Sequence, residues 1–311
     1  MNSILEEVDL AGNIIWKMNA ADLNAALSTA GFNLTIFGTH HDVAVLPNGH
    51  LVVIASQIVN YTDLPGLPGT TAVVGDALID LDTNRKPVWT WSTFDHLDVN
   101  RHLFGMPDWT HTNAIIYSPS DGALVISIRH QHWLVKIDYN NGQGSGDIIW
   151  KLGAEGDFTL VGGTDPVDWF YAQHDPNYTT SNTSGTFGLT LFDNGDNRPN
   201  PANGGLPCGA NPGSPCYSRV PVFQIDEAAL TATIAWQDTL NLFSFFGGSA
   251  QVLPNGNSEF GICAAGGADV ASTVREVTQD PVPQTVWQLH VTGKYAYRGL
   301  RIPSLYPGVQ W

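Results

Sequence analysis

The sequence predicts an all-β chain, a β-propeller built of four-stranded blades, and three observations lead there: a Trp-terminated hairpin that recurs along the chain, a second hairpin between its copies, and a composition that suits turns better than helices. Charged residues make up only 14% of the 311 positions while Gly reaches 32 and Pro 19, and such a balance favours short strands joined by tight turns. The first hairpin is an apolar-Asp strand, a turn and a second apolar strand ending in Trp. It runs from Val8-Asp9 to Trp16, Ile79-Asp80 to Trp89, Ile137-Asp138 to Trp150, Ile225-Asp226 to Trp236, and less cleanly from Val274 to Trp287. Repetition at this scale is the mark of a propeller, in which each repeat supplies one antiparallel blade.

The second hairpin is clearest at Asp42 to Ala55 around Leu46-Pro47-Asn48-Gly49, at Thr112 to Ile128 around Asp121-Gly122, and at Gln251 to Ile262 around Leu253-Pro254-Asn255-Gly256. Asn-Gly and Asp-Gly supply the positive φ angles of tight hairpin turns. The two hairpins together make one blade. Ala20 to Ala30 is the one convincing helix, an insertion between blades. Five Trp endings enclose four complete intervals, so residues 1–311 are expected to be a single propeller domain whose N-terminal blades are missing.

The formal charge of −16 and pI near 4.7 argue against nucleic acid and anionic membrane surfaces as partners, since both require clustered Lys and Arg. No run approaches the ~18 apolar residues of a membrane span, and Met1 to Glu7 lacks the basic and apolar regions of a signal peptide. Cys208 and Cys216 flank Gly-Ala-Asn-Pro-Gly-Ser-Pro, a stretch bent enough to bring them together as a disulfide, which would place the protein in an oxidising compartment. Cys263, in an apolar run, reads as a buried small hydrophobe.

Three histidines occupy the same place in the repeat. His41, His111 and His174 each open the first strand of a hairpin, and Arg129 ends the return strand of the His111 hairpin. An antiparallel return brings Arg129 back to the level of His111, so four cationic or potentially cationic groups are expected at one channel mouth. On so acidic a chain this points to an anionic ligand. Arg presents a planar fork to tetrahedral oxyanions, and imidazole can donate, accept or attack near neutral pH. His40 can exchange roles with His41 because register is not fixed to one residue. A three-histidine metal site is the competing reading, disfavoured by the adjacent Arg. His130 and His132 are expected at the channel rim or in solvent, and Asp42 and Asp175 in turns. Trp109, Trp169, Phe170 and Tyr171 either wall an aryl pocket or fill the core. Leu191 to Arg198 has the composition of a calcium loop without its spacing and reads as a turn.

His40-His41-Asp42 with Leu46-Pro47-Asn48-Gly49, Asp108-Trp109-Thr110-His111-Thr112-Asn113, Ser127-Ile128-Arg129-His130-Gln131 running into Lys136-Ile137-Asp138, Ile148 to Gly153, Gln173-His174-Asp175, and Phe192-Asp193-Asn194-Gly195 together resemble the bacterial arylsulfate sulfotransferases, which work without a nucleotide sulfate donor. Tyr297-Arg298 followed by Ser304-Leu305-Tyr306 is similar to that family's C-terminal end. The resemblance runs from about Glu7 to the C terminus. It implies a six-bladed propeller, periplasmic or secreted, that carries a sulfuryl group from an aryl sulfate to a phenol by a ping-pong route, with no cofactor. On matching motifs His174 is the nucleophile and His41 the general acid/base, while His111 and Arg129 hold the non-bridging oxygens. Asn113 adds a hydrogen bond, and His40 and Trp109 are further substrate-binding candidates. Two rivals remain: a propeller that binds anionic ligands or a protein without turnover, and a histidine-dependent sulfate ester hydrolase.

Overall fold

The computed structural model describes residues 4–180, 185–210, 215–265, 270–302 and 304. Leu305 and Tyr306 of the C-terminal motif lie outside the described residues, as do the first three residues and four of the seven between Cys208 and Cys216. The chain is nearly all β and divides into two compact units, Met1–Lys151 and Leu152–Trp311.

In the first unit, β1 (Ile4–Val8) and β2 (Ile14–Asn19) form a two-stranded antiparallel hairpin. Helix α1 (Ala20–Thr29) follows, started by a reciprocal capping box between Asn19 and Asp22. It buries Leu23 and Leu27 against Val53, Ala55 and Ile79. The strands β3 (Gly38–Val45), β4 (Leu51–Leu64), β5 (Leu67–Leu81) and β6 (Pro87–Ser92) form a four-stranded antiparallel meander. A single turn, α2 (Thr93–His96), leads by a loop to a second sheet in the same order, β7 (Thr112–Ser118), β8 (Ala123–Ile128), β9 (Trp133–Ile137) and β10 (Ile148–Leu152). The two sheets share a core of Val52, Ile54, Leu78, Ile126, Ile128 and Val135. Alternate positions of each strand feed it, as the period of two requires.

In the second unit, β11 (Thr159–Val161) lies parallel to β15 and adds a fifth strand to β12 (His174–Tyr178), β13 (Thr186–Phe192), β14 (Arg219–Asp226) and β15 (Thr231–Thr239). This strand was not foreseen in the repeat; pairing with β15 covers what would otherwise be a bare sheet edge. The last sheet is β16 (Ser249–Val252), β17 (Ser258–Ile262), β18 (Ala271–Val277) and β19 (Thr285–Thr292). Phe192, Val220, Ala250 and Phe260 pack these two sheets together.

The Trp-terminated repeat corresponds to the last two strands of each blade-like sheet, and the Asn-Gly or Asp-Gly hairpin to the first two. Among the described residues four sheets have four or five strands, and β1–β2 stands as a two-stranded sheet. The β4–β5 hairpin extends well past Ala55, pairing as far as Leu64 with Leu67. Its tip, rich in Pro and Gly, has the composition of a loop.

Candidate functional site

Three sheets carry an irregularity at the same point, the opening of the first strand. The ladder slips between Thr39 and Val43 in β3, between Thr112 and Ala114 in β7, and between His174 and Asn177 in β12. A bulge turns side chains away from simple alternation and is common where a site is built. His41 and His111 take left-handed backbone angles, φ 59° and 54°, and so does Asp175 beside His174, at φ 50°. Non-glycine residues rarely hold this conformation; it falls on His41 and His111 themselves but one residue past His174, so the three openings are alike without matching residue for residue.

In the first unit the histidines form a continuous chain of rings. His40 and His41 meet edge to face with centroids 4.9 Å apart, His41 and His111 at 4.8 Å, and His111 and His130 at 4.8 Å. The Nδ1 atoms of His40 and His41 are 2.6 Å apart and share a hydrogen. His40 Nε2 donates to Asp76 Oδ1 at 3.1 Å. Asp76 is buried, and its other oxygen accepts from Thr110 Oγ1 at 2.7 Å and from the Thr112 amide at 2.6 Å. Burial raises the Asp76 carboxyl, but His40 and these donors outweigh it and hold it well below the usual carboxylate range. Both His40 and His41 lie within the bulge, and His40 is the one tied to Asp76. Both line a cavity of about 370 Å³ together with Asp76, Asp108 and His111, facing an apolar wall of Phe37, Ile58 and Val74.

His111 Nδ1 donates to Asp108 Oδ2 at 2.5 Å. Burial raises the Asp108 carboxyl, yet the bond from His111 and the nearby imidazoles bring it below the usual range. Arg129 follows β8 directly, and its amide donates to the His111 carbonyl at 3.3 Å, so the hairpin does return it to the level of His111. Arg129 Nη1 donates to His130 Nε2 at 2.5 Å, and its guanidinium lies over Phe104. His130 is buried rather than at a rim, and its Nδ1 donates to the Asp108 carbonyl at 2.7 Å. With one nitrogen donating and the other accepting, the ring must be neutral. Burial, then the neighbouring His111 and Arg129, lower it to about 4 against the pull of Asp108. Asp108, His111 and His130 place three donor atoms within 4.8 Å of one another, a spacing a metal ion could use. Asp108 Oδ2 and His111 Nδ1 already share a hydrogen bond, and both ring nitrogens of His130 are bonded.

In the second unit His174 opens β12 and is 1% exposed. Its Nδ1 lies 2.7 Å from Asn194 Oδ1, and the Gly247 amide donates toward its Nε2 at 3.3 Å. The Tyr297 ring meets it edge on at 5.8 Å, and Arg298 pairs with Asp175 at 3.3 Å. Asn194 follows Asp193, whose buried carboxylate accepts from Arg198 Nη2 at 2.5 Å, Arg219 Nε at 2.7 Å and the Tyr171 amide at 2.9 Å. These bonds explain why the Leu191–Arg198 stretch is not a calcium loop: two guanidiniums already neutralise its central carboxylate.

Asn113 is buried at the β7 bulge. Trp109 corrects an expectation. It is 1% exposed, packs with Leu64 and Val73, and gives its indole N–H to the Arg101 carbonyl at 3.0 Å, so it serves the core and not an aryl wall. Trp169 and Phe170 are likewise buried, against Phe223. Asp42 is no simple turn cap; it accepts from the Ile115 amide at 2.9 Å and ties β3 to β7. Cys208 and Cys216 are joined as a disulfide. Cys263 is buried, and burial pushes its thiol up to about 11. The sequence did not single out Asp76, Asp108, His130 and Asn194 as partners of the candidate site residues. Asp108, three residues before His111, and Asn194, inside a motif, were in view without a role, whereas nothing local in sequence marks Asp76, which only the β4–β5 pairing delivers.

The family model described as Arylsulfotransferase (ASST) matches residues 2–298. Among curated proteins none matches. Among solved structures, a protein of unknown function from Bacteroides caccae is similar at 11% identity with a TM-score of 0.46, covering 94% of this chain and 77% of that one. None of the described helices is long and apolar enough to cross a membrane.

Proposed function

The chain belongs to the arylsulfotransferase family, as the match over residues 2–298 establishes, and from that premise we propose that it moves a sulfuryl group from an aryl sulfate to a phenol through a covalent histidine intermediate, without a nucleotide donor. The observation that supports the reading is that His41, His111 and His174 all lie at or beside the irregular openings of first strands, with Arg129 returned beside His111. His174 attacks sulfur through one ring nitrogen. The S–O bond to the aryl group breaks, and His41 protonates the departing phenolate. A second phenol then gives its proton to His41 and attacks the sulfuryl group on His174, which restores the free imidazole. Dividing one displacement into two lowers each barrier, and acid/base help of this kind contributes ~10²- to 10⁴-fold.

His111, Arg129 and Asn113 are assigned to the non-bridging oxygens. Charge in the transition state gathers on these oxygens and on the leaving atom, where fixed donors act most strongly. The apolar wall of Phe37, Ile58 and Val74 beside His41 suits an aryl ring. A disulfide and the family's usual address support a periplasmic or secreted site of action. The test is turnover of 4-nitrophenyl sulfate with and without phenol, beside His174→Ala. Phenol-dependent release that disappears in the variant is expected. Release indifferent to phenol would favour the hydrolase, and no release from folded protein would favour a binding propeller.

A further inference from the structure

Nothing in the family reading says which nitrogen of His174 attacks or what selects it. Asn194 is fully buried, and its side-chain amide can be oriented in only one way. Its Nδ2 donates to two backbone carbonyls, Ser244 O at 2.7 Å and Gly247 O at 2.9 Å. Carbonyls only accept, so the NH₂ group must face them and Oδ1 must face His174 Nδ1, 2.7 Å away. A second group constrains the opposite nitrogen independently. The Gly247 amide, a donor and nothing else, points at Nε2 from 3.3 Å. Both neighbours therefore demand a hydrogen on Nδ1 and a lone pair on Nε2.

The frame that enforces this is itself pinned. Ser218 Oγ donates to the Asn194 carbonyl at 2.8 Å and accepts from the Ser244 amide at 2.9 Å. The backbones of Asp193 and Arg219 exchange two bonds, and the Gly195 amide donates to the Tyr171 carbonyl at 2.9 Å. Gly247 has φ +61°, and a Cβ there would run into Cys263, so only glycine lets this backbone pass so close to the ring.

We propose that Asn194 is the positioning residue of the reaction, holding His174 as the Nδ1–H tautomer so that the Nε2 lone pair is the attacking atom. The inference rests on the reading of His174 as the nucleophile. When the Nε2–S bond forms and the S–O bond breaks, the electron pair leaves with the phenolate and the ring becomes a cation that keeps its Nδ1 hydrogen. Asn194 Oδ1 then receives a stronger, charge-assisted bond. An amide accepts that hydrogen as a carboxylate would, without the negative charge that favours protonating Nε2 and losing the lone pair.

The experiment is long-range ¹H–¹⁵N NMR on the full chain labelled with ¹⁵N-histidine near pH 7.5, with the His174 ring assigned by its loss in His174→Gln. A protonated Nδ1 and an unprotonated Nε2 are expected; a ring protonated on Nε2, or exchanging between tautomers, would overturn the proposal whether or not the protein is active. In folded Asn194→Ala the ring should exchange tautomers and kcat should fall on the order of 10²- to 10⁴-fold with KM little changed, since a misplaced imidazole proton costs that much in hydrolases. Unchanged kcat would also overturn it. The expected tautomer in a wild-type protein that never takes sulfuryl on His174 would defeat the nucleophile reading instead and leave the tautomer assignment standing.

Discussion

The two units hold their histidines by different means. In the first, His40 and His111 lean on the carboxylates of Asp76 and Asp108, His130 braces Arg129, and the rings touch one another beside a cavity of about 370 Å³. In the second, the two nitrogens of His174 face Asn194 and the Gly247 amide, both neutral, at a site almost closed to solvent. A set of imidazoles paired with anions and near a guanidinium is suited to taking up, releasing and neutralising charge. An imidazole whose nitrogens face a neutral amide oxygen and a backbone N–H is suited to keeping a lone pair on one of them. The contrast is consistent with the proposed roles: proton handling and oxyanion binding for His41, His111 and Arg129, and covalent chemistry for His174.

The comparison breaks most visibly if His41 is dispensable. His41→Ala should lower kcat/KM by ~10²- to 10⁴-fold, and more for donors whose phenol is a poor leaving group; steady-state rates across substituted phenyl sulfates check both. Arg129→Lys keeps the charge but loses the planar fork and the bond to His130. A loss of roughly 10²- to 10³-fold, typical of one oxyanion donor, is expected in the same assay.

A smaller effect, on stability and not rate, sharpens the account of the first unit. His130 is lowered to about 4 when folded against ~6.5 when unfolded. Between those values the unfolded chain binds a proton that the folded chain refuses, so stability rises with pH across this window. Acidification from 6.5 to 4 should cost on the order of 3 kcal/mol. Asp76 and Asp108 are depressed, so their contribution is present above ~4 and is lost only as pH falls through their folded values. Denaturant titrations between pH 6.5 and 4.5 should show a slope that His130→Gln flattens. The smallest effect belongs to the second unit. Removing the Cys208–Cys216 bond, which closes a loop over a sequence separation of 8, should cost about 2–3 kcal/mol; equilibrium unfolding of the double Ser variant measures it.

The blades were legible because their signals are local: Asn48-Gly49 and Asp121-Gly122 announce hairpins, and the Trp16, Trp89, Trp150 and Trp236 endings fix the outer strands. The repeat also placed His41, His111 and His174 at strand openings, and the Arg129 return followed from hairpin geometry alone. Their partners were harder to see. Asp76 meets His40 across 36 positions and Asn194 meets His174 across 20, distances bridged by strand pairing and not by any periodicity. Trp109 misled because an aromatic beside a site histidine looks the same in sequence whether it faces ligand or core; what separates the cases is the Arg101 carbonyl that takes its N–H. β11 escaped because three residues pairing in parallel carry no turn signature.

The central claim is that His174 carries the sulfuryl group, and its most direct test is mass mapping of peptides after a brief exposure to 4-nitrophenyl sulfate with no acceptor. The account predicts one sulfuryl group per chain, on His174, discharged when phenol is added. Donor turnover with His174 left unmodified, or with the group on another residue, would contradict it.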